Sequence, residues 1–208
     1  MKKKILLLNG SPNEHGCTYT ALNEIADTLA KNGIASDFLY LGKQPVAGCI
    51  ACGKCGSTGA CVFNDKVNEL LAKIDEYDGI VVGSPVYYAG PSGQLCAFLD
   101  RLFYCGSRYM RGKLAAGVVS CRRAGASAAL DRLYKYFTLS NMTIIGSQYW
   151  NMVHGSCPED VKQDAEGLQT MHVLAENMAW MLRNLEAGES ANIALPEKEH
   201  RQWTNFIR

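Results

Sequence analysis

No apolar run in this 208-residue sequence approaches the roughly 20 residues that a membrane-spanning helix needs. The opening MKKKILLLNG starts like a secretory leader. Its apolar part stops at Asn9-Gly10, too short for the core of a signal peptide. An excess of either charge is also missing: 21 Lys and Arg stand against 20 Asp and Glu. A near-neutral chain is poorly suited to neutralising many phosphates, so nucleic acid is not expected as a partner, and neither is a membrane. There is no G-x-x-x-x-G-K-[ST] loop and no G-x-G-x-x-G fingerprint. No acidic or basic catalytic constellation is apparent. No repeat, low-complexity tract or linker interrupts the chain before residue 186. These absences lead to the expectation of one cytoplasmic domain, 1–186, and a tail, 187–208. Pro196, Trp203 and Phe206 of that tail are expected to pack on a partner subunit or on the chain's own surface.

Cysteine, by contrast, is plentiful. There are nine, an odd number, and a reducing compartment makes structural disulfides the least expected use. Four lie in GCIACGKCGSTGAC, where Cys49, Cys52, Cys55 and Cys61 are spaced C-x2-C-x2-C-x5-C. Taken alone, the spacing leaves a metal or iron–sulfur site and free thiols both open. Zinc fits less well, because two separated C-x-x-C knuckles are absent. Cys96 and Cys105 read as core or helix-surface residues, since an unpaired cysteine packs like a small hydrophobe.

Short apolar runs alternate with segments of helical period. KKILLLNG, SDFLYL, DGIVVGS, LAAGVVS and MTIIGS read as five strands. Between and after them, Leu22/Ile25/Leu29, Val67/Leu70/Leu71/Ile74, Leu95/Phe98/Leu99/Leu102, Leu130/Leu133/Phe137 and Met171/Leu174/Met178 mark helical faces. Asp65 and Ser92 stand where N-caps belong. Such alternation predicts an α/β fold, a doubly wound five-stranded parallel sheet with helices on both faces. Ligands of such sheets bind outside the carboxyl ends of the strands.

The loops at those ends carry the chemistry. After the first strand, NGSPNEHGCTYT offers the Ser11 and Thr18 hydroxyls, the Asn13 amide, Gly16 and the amides of a helix start. This composition suits a phosphate and equally suits a plain cap and turn. After the third strand, Tyr87 and Tyr88 lie among Pro85, Gly90 and Pro91, at an edge where a flat heterocycle would stack or where the rings cover a helix end. After the fourth, Arg122 and Arg123 sit where a helix should begin, a place the helix dipole disfavours for cations unless an anion is near. Trp150, Met152 and His154 follow the fifth strand, and a lone histidine there reads as a packing or hydrogen-bonding residue.

Together, GSPNEHGCT and GSPVYYAGPSGQLCAFLDR, about seventy residues apart, resemble the flavodoxin-like NAD(P)H-dependent FMN reductase superfamily. The resemblance implies FMN, its phosphate held by Ser11, Asn13, Gly16 and Thr18, with Pro12 and Cys17 in the same loop. Cys17 is a departure, since related loops more often carry Asn or Ser. The ring would rest against Pro85, Val86, Tyr87, Tyr88 and Gly90, with Ser120, Cys121, Arg122, Arg123 and Gly125 closing around it. The cysteine-rich loop, 48–62, resembles the iron–sulfur flavoprotein branch, in which this motif ligates a 4Fe–4S cluster. Similar loops also occur in flavodoxin-like proteins for which no cluster is to be assumed, so the free-thiol reading stays open.

What the resemblance implies about function is an FMN oxidoreductase with NAD(P)H as co-substrate. Its acceptor would be a quinone, an azo or nitro compound, another flavin or oxygen. The flavin carries the chemistry, and no catalytic side chain is named. Two alternatives stand beside this: one-electron transfer among FMN, a 4Fe–4S cluster and ferredoxin, and a non-catalytic thiol or metal redox sensor. A homodimer or homotetramer is implied.

Overall fold

The computed structural model describes residues 3–200 and 202–204; Phe206 lies outside them. The chain runs β1 (Lys4–Asn9), α1 (Cys17–Lys31), β2 (Ala35–Tyr40), α2 (Cys55–Thr58), α3 (Lys66–Leu71), β3 (Gly79–Tyr87), β4 (Gly90–Pro91), α4 (Gly93–Gly106) and β5 (Leu114–Cys121). It continues through α5 (Ala126–Leu139), β6 (Thr143–Ile144), β7 (Met152–His154), α6 (Pro158–Val161) and α7 (Ala165–Ser190). The parallel sheet has the order β2-β1-β3-β5-β6, with β7 also on β5. Chain order reverses between β1 and β3, which places the topological switch point there.

The continuous apolar runs follow from burial on both faces. In β1, Leu6 and Leu8 point to one core with Ile80, Val82, Leu95, Phe98, Leu130 and Phe137. Ile5 and Leu7 point to the other, with Leu22, Ile25, Val81, Val118, Leu174 and Met178. Thus α3, α4 and α5 cover one face, and α1 and α7 the other.

Among the described residues the sheet has seven strands rather than five. The fifth position is shared: β6 pairs with the start of β5 and β7 with its end. MTIIGS therefore holds only two strand residues, and the stretch that reads as a loop contains β7. A three-residue strand interrupted from its neighbour by bulky Tyr149 and Trp150 has too little pattern to show in sequence. The extra β4 pairs antiparallel with the end of β3, Val86 opposite Pro91 and Tyr87 opposite Gly90. Proline is tolerated on such an edge because the lost N–H is not needed there.

The last helix reaches Ser190, four residues past the expected boundary. Beyond it, Arg111 donates to the Pro196 carbonyl and Leu195 covers Gly112, so the start of the tail touches the chain's own surface. Among the described residues no helix is long and apolar enough to cross a membrane.

Candidate functional site

The loop after β1 is folded by its own short polar side chains. Asn9 donates to the Glu14 carbonyl (2.9 Å) and accepts from the Ser11 N–H (3.0 Å). Ser11 Oγ accepts from the Asn13 N–H (3.1 Å), and the Gly16 N–H reaches the Asn13 carbonyl (3.2 Å). A Cβ on Gly16 would stand 3.0 Å from Asn13 Cβ, so the turn is tight enough to favour glycine. Pro12 is held through its carbonyl by the Tyr40 hydroxyl (2.7 Å).

Two bonds tie this loop to β3 and to the start of α4 across the switch point. The Gly10 N–H donates to the Gly83 carbonyl (2.9 Å), and the Ser92 hydroxyl donates to the Gly10 carbonyl (2.7 Å). Across the sheet, Thr18 and Ser120, both buried, share a hydrogen bond between hydroxyls at 2.9 Å.

The starts of the longer helices differ, the four-residue α2 being uncapped as well. Asp65, Ser92 and Asp164 cap α3, α4 and α7. Helices α1 and α5 begin at Gly16 and Gly125, with no side-chain cap and no acidic residue in the first turn. An uncapped start leaves backbone N–H groups and the positive end of the dipole for an external anion. These two starts are the ones that follow the first and fourth strands of the sequence reading.

The loop after β3 is a two-residue hairpin turn. Tyr88 and Ala89 both have positive φ, 49° and 59°, as a type I′ turn requires. Non-glycine residues in that region cost about 1–2 kcal/mol each, and such strain commonly accompanies function. The turn puts Tyr88 fully in solvent and leaves Tyr87 half exposed, while Pro85 and Val86 stay partly buried. Gly125, at φ +88°, lies so close that a Cβ there would stand 2.8 Å from Ala89 Cα and 3.2 Å from Val86 Cγ1. The two loops expected to hold a ring therefore meet.

The arginines separate. Both are exposed, but Arg123 lines a cavity of about 390 Å³ with Gly125, Trp150, Met152, His154 and Asp164, and Arg122 does not. The His154 backbone N–H donates to Asp164 (2.7 Å), and its ring Nδ1 lies 3.7 Å from the same carboxylate oxygen. Burial pushes the Cys17 and Cys121 thiols above the usual thiol value. Cys17 Sγ contacts the Gly155 carbonyl at 3.7 Å, joining α1 to the end of β7.

The cysteine stretch crosses α4 on the opposite face from α1. Cys49, Cys52, Cys55 and Cys61 line a single recess with Ile50, Phe63, Arg101, Tyr104 and Cys105. The recess is about 20 Å³, room for about one water. Among the described residues no three His, Cys, Asp or Glu side chains are gathered closely enough to hold a metal ion. The motif cysteines thus share a recess without forming a closed ligand set, and a cubane needs the loop to open outward.

The donor chemistry nevertheless fits such a group. Thiols ring an apolar recess, no carboxylate lines it, and a guanidinium stands beside it. Cys61 is drawn below the usual thiol value: burial pushes it up, but the Phe63 N–H and Arg101 outweigh that. Cys105, read from sequence as core or helix surface, is a fifth thiol here. Burial, with Cys55 and Cys61 pressed against it, pushes it up to about 12. Arg101 and Cys105 are four apart on α4, hence on one face, yet nothing in the sequence says that the cysteine loop crosses that face.

A family model for NADPH-dependent FMN reductase matches residues 3–156. The chain belongs to the NADPH-dependent FMN reductase family. It is a flavin-dependent oxidoreductase, and FMN is its cofactor. An iron–sulfur flavoprotein of Methanocaldococcus jannaschii is 31% identical over 188 residues, covering 86% of this chain and 97% of that one. An iron–sulfur flavoprotein of Methanosarcina thermophila is 25% identical over 187 residues, 88% and 97% of the two chains. The crystal structure of RosB with a bound formylriboflavin phosphate has a TM-score of 0.69 at 15% identity, covering 99% of this chain and 92% of that one. A WrbA-like flavodoxin from Agrobacterium tumefaciens gives 0.61 at 14%, covering 88% and 99%. These two likenesses establish the flavodoxin-like fold.

Proposed function

We propose that this family member is an iron–sulfur flavoprotein: an FMN oxidoreductase that also carries a 4Fe–4S cluster on Cys49, Cys52, Cys55 and Cys61 and exchanges electrons singly with a carrier such as ferredoxin. The observation that carries the reading is the convergence of all four motif cysteines, from an irregular loop, on one apolar recess beside a buried guanidinium. The two curated relatives named above, similar over nearly their whole length, support it.

When bound, FMN takes up and releases electron pairs, whereas a 4Fe–4S cluster exchanges them one at a time. The chain supplies placement. The uncapped start of α1, with Ser11, Asn13, Gly16 and Thr18, would hold the phosphate, and Pro12 and Cys17 keep that loop closed against Tyr40 and Gly155. Pro85, Val86, Tyr87, Tyr88 and Gly90 would border the ring on one side, and Ser120, Cys121 and Gly125 on the other. Arg123 would offset the negative charge acquired on reduction. Arg123→Ala is therefore expected to lower the flavin midpoint potential and Arg122→Ala to leave it unchanged. A potentiometric titration in which neither moves removes this role.

A second reading, with NAD(P)H as donor and a small acceptor such as a quinone, azo or nitro compound, flavin or oxygen, is favoured by the cavity of about 390 Å³ beside Gly125. The direct test is anaerobic stopped flow, mixing the loaded protein with reduced ferredoxin or with NAD(P)H. Flavin reduction by ferredoxin supports the first reading. Reduction by NAD(P)H alone replaces it with the second, and reduction by neither leaves a non-catalytic redox sensor. The units 1–186 and 187–208 are read as a flavin domain and an oligomer-forming tail. Exposed Ile193 and the outer part of Leu195 support a homodimer or homotetramer, and a solution mass of one chain would remove that assignment.

A further inference from the structure

We propose that Arg101 is a positioning residue of the cysteine site, holding Cys61 as fourth ligand and fixing positive charge against its sulfur. The inference rests on the reading that the four cysteines carry a cluster. Its basis is the saturation of one buried side chain by one loop. Arg101 is 1% exposed, a costly place for a charge unless every donor is met.

Each of its five N–H groups has a partner. Nε donates to Cys61 Sγ (3.2 Å). One terminal nitrogen donates to Asp65 Oδ2 (2.7 Å) and the Ala47 carbonyl (3.3 Å). The other donates to Asp65 Oδ1 (2.8 Å) and the Phe63 carbonyl (3.4 Å). The Phe63 ring lies 4.8 Å from the guanidinium carbon. Ala47 precedes the first motif cysteine and Asp65 follows the last, so a single side chain on α4 clamps both ends of the motif. Helix α4 is in turn fixed at its start by Ser92, which is bonded to the loop after β1.

The fifth bond is the informative one. A clamp alone would be complete with the two carbonyls and the carboxylate. Asp65 already balances the guanidinium charge, yet Nε is aimed at sulfur. A charge-assisted N–H bond to a ligating thiolate draws negative charge from the sulfur. It therefore favours the reduced, more negative form of a cluster and raises its potential. Lysine keeps the charge but cannot reproduce the planar fork, which makes Arg101→Lys a discriminating change rather than a conservative one.

The test compares wild type, Arg101→Lys and Arg101→Gln, each reconstituted anaerobically with iron, sulfide and FMN. Iron, sulfide and flavin are counted per chain, and the cluster midpoint is measured by titration. In the lysine variant, flavin is retained and the equilibrium constant for one-electron reduction of the cluster falls at least tenfold, about 59 mV. In the glutamine variant more than half the iron is lost while flavin stays stoichiometric. Full iron at an unchanged midpoint in both variants overturns the assignment. Should the glutamine variant fail to fold, the lysine midpoint alone decides. A wild type that takes up FMN but no iron is a different result, and sinks the cluster reading itself.

Discussion

Gly125→Val is expected to weaken FMN binding roughly thirtyfold while leaving the domain folded. Gly125 sits at φ +88°, where a side chain costs about 1–2 kcal/mol and a β-branched one lies at the upper end. Its new Cβ would also meet the Ala89 backbone at 2.8 Å, and the neighbour there is a hairpin turn that already holds two positive-φ residues. The variant relieves the strain by parting the two loops. Binding then has to restore the close arrangement, and about 2 kcal/mol corresponds to that fold-change in affinity. Fluorescence titration of apo-protein with FMN measures it, with Gly125→Ala falling between wild type and valine. Wild-type affinity in the valine variant would show that the two loops need not meet around the ring.

Asp65→Ala is expected to cost about 4 kcal/mol of stability, from a stranded charge and a lost helix cap together. It leaves the Arg101 guanidinium buried without its carboxylate, a loss worth about 3–5 kcal/mol when water is excluded. The Asp65 side chain is 37% exposed, so water replaces part of it and the low end applies. The same change removes the cap that accepts from the Val67 N–H at 3.1 Å, worth about 1 kcal/mol. Against a typical total of about 5–15 kcal/mol this is readily seen in urea unfolding. Adding Arg101→Met to Asp65→Ala should recover part of the loss, because the stranded charge is then gone. A cost below about 1 kcal/mol for Asp65→Ala would mean that water reaches the guanidinium and that the clamp is not buried in solution.

The sheet was legible because its physics is local and repetitive. Ile5 to Leu8 are buried on both faces, so they form an unbroken apolar run, whereas α1 shows Leu22, Ile25 and Leu29 on one stripe only. The caps at Asp65 and Ser92 were legible for the same reason. The division of the fifth position into β6 and β7 was not, since two- and three-residue strands exist only through pairing with β5.

The candidate flavin loops stood out through glycines and short polar residues between a strand and a helix. The difference between Arg122 and Arg123 did not, because it depends on which one the turn before Gly125 aims at the cavity. Arg101 and Cys105 were hidden more thoroughly. Their spacing puts them on one face of α4, but their meaning comes from a loop that begins some fifty residues earlier and crosses that face only in the folded chain.

The most direct test of the account is a joint count of flavin, iron and acid-labile sulfide on one sample purified anaerobically. The account predicts one FMN with about four irons and four sulfides per chain, and loss of the iron, with FMN retained, when Cys49, Cys52, Cys55 and Cys61 are replaced by serine. One FMN with neither iron nor sulfide, under the same handling and after reconstitution, would contradict it and leave a plain FMN reductase whose cysteine loop is made of free thiols.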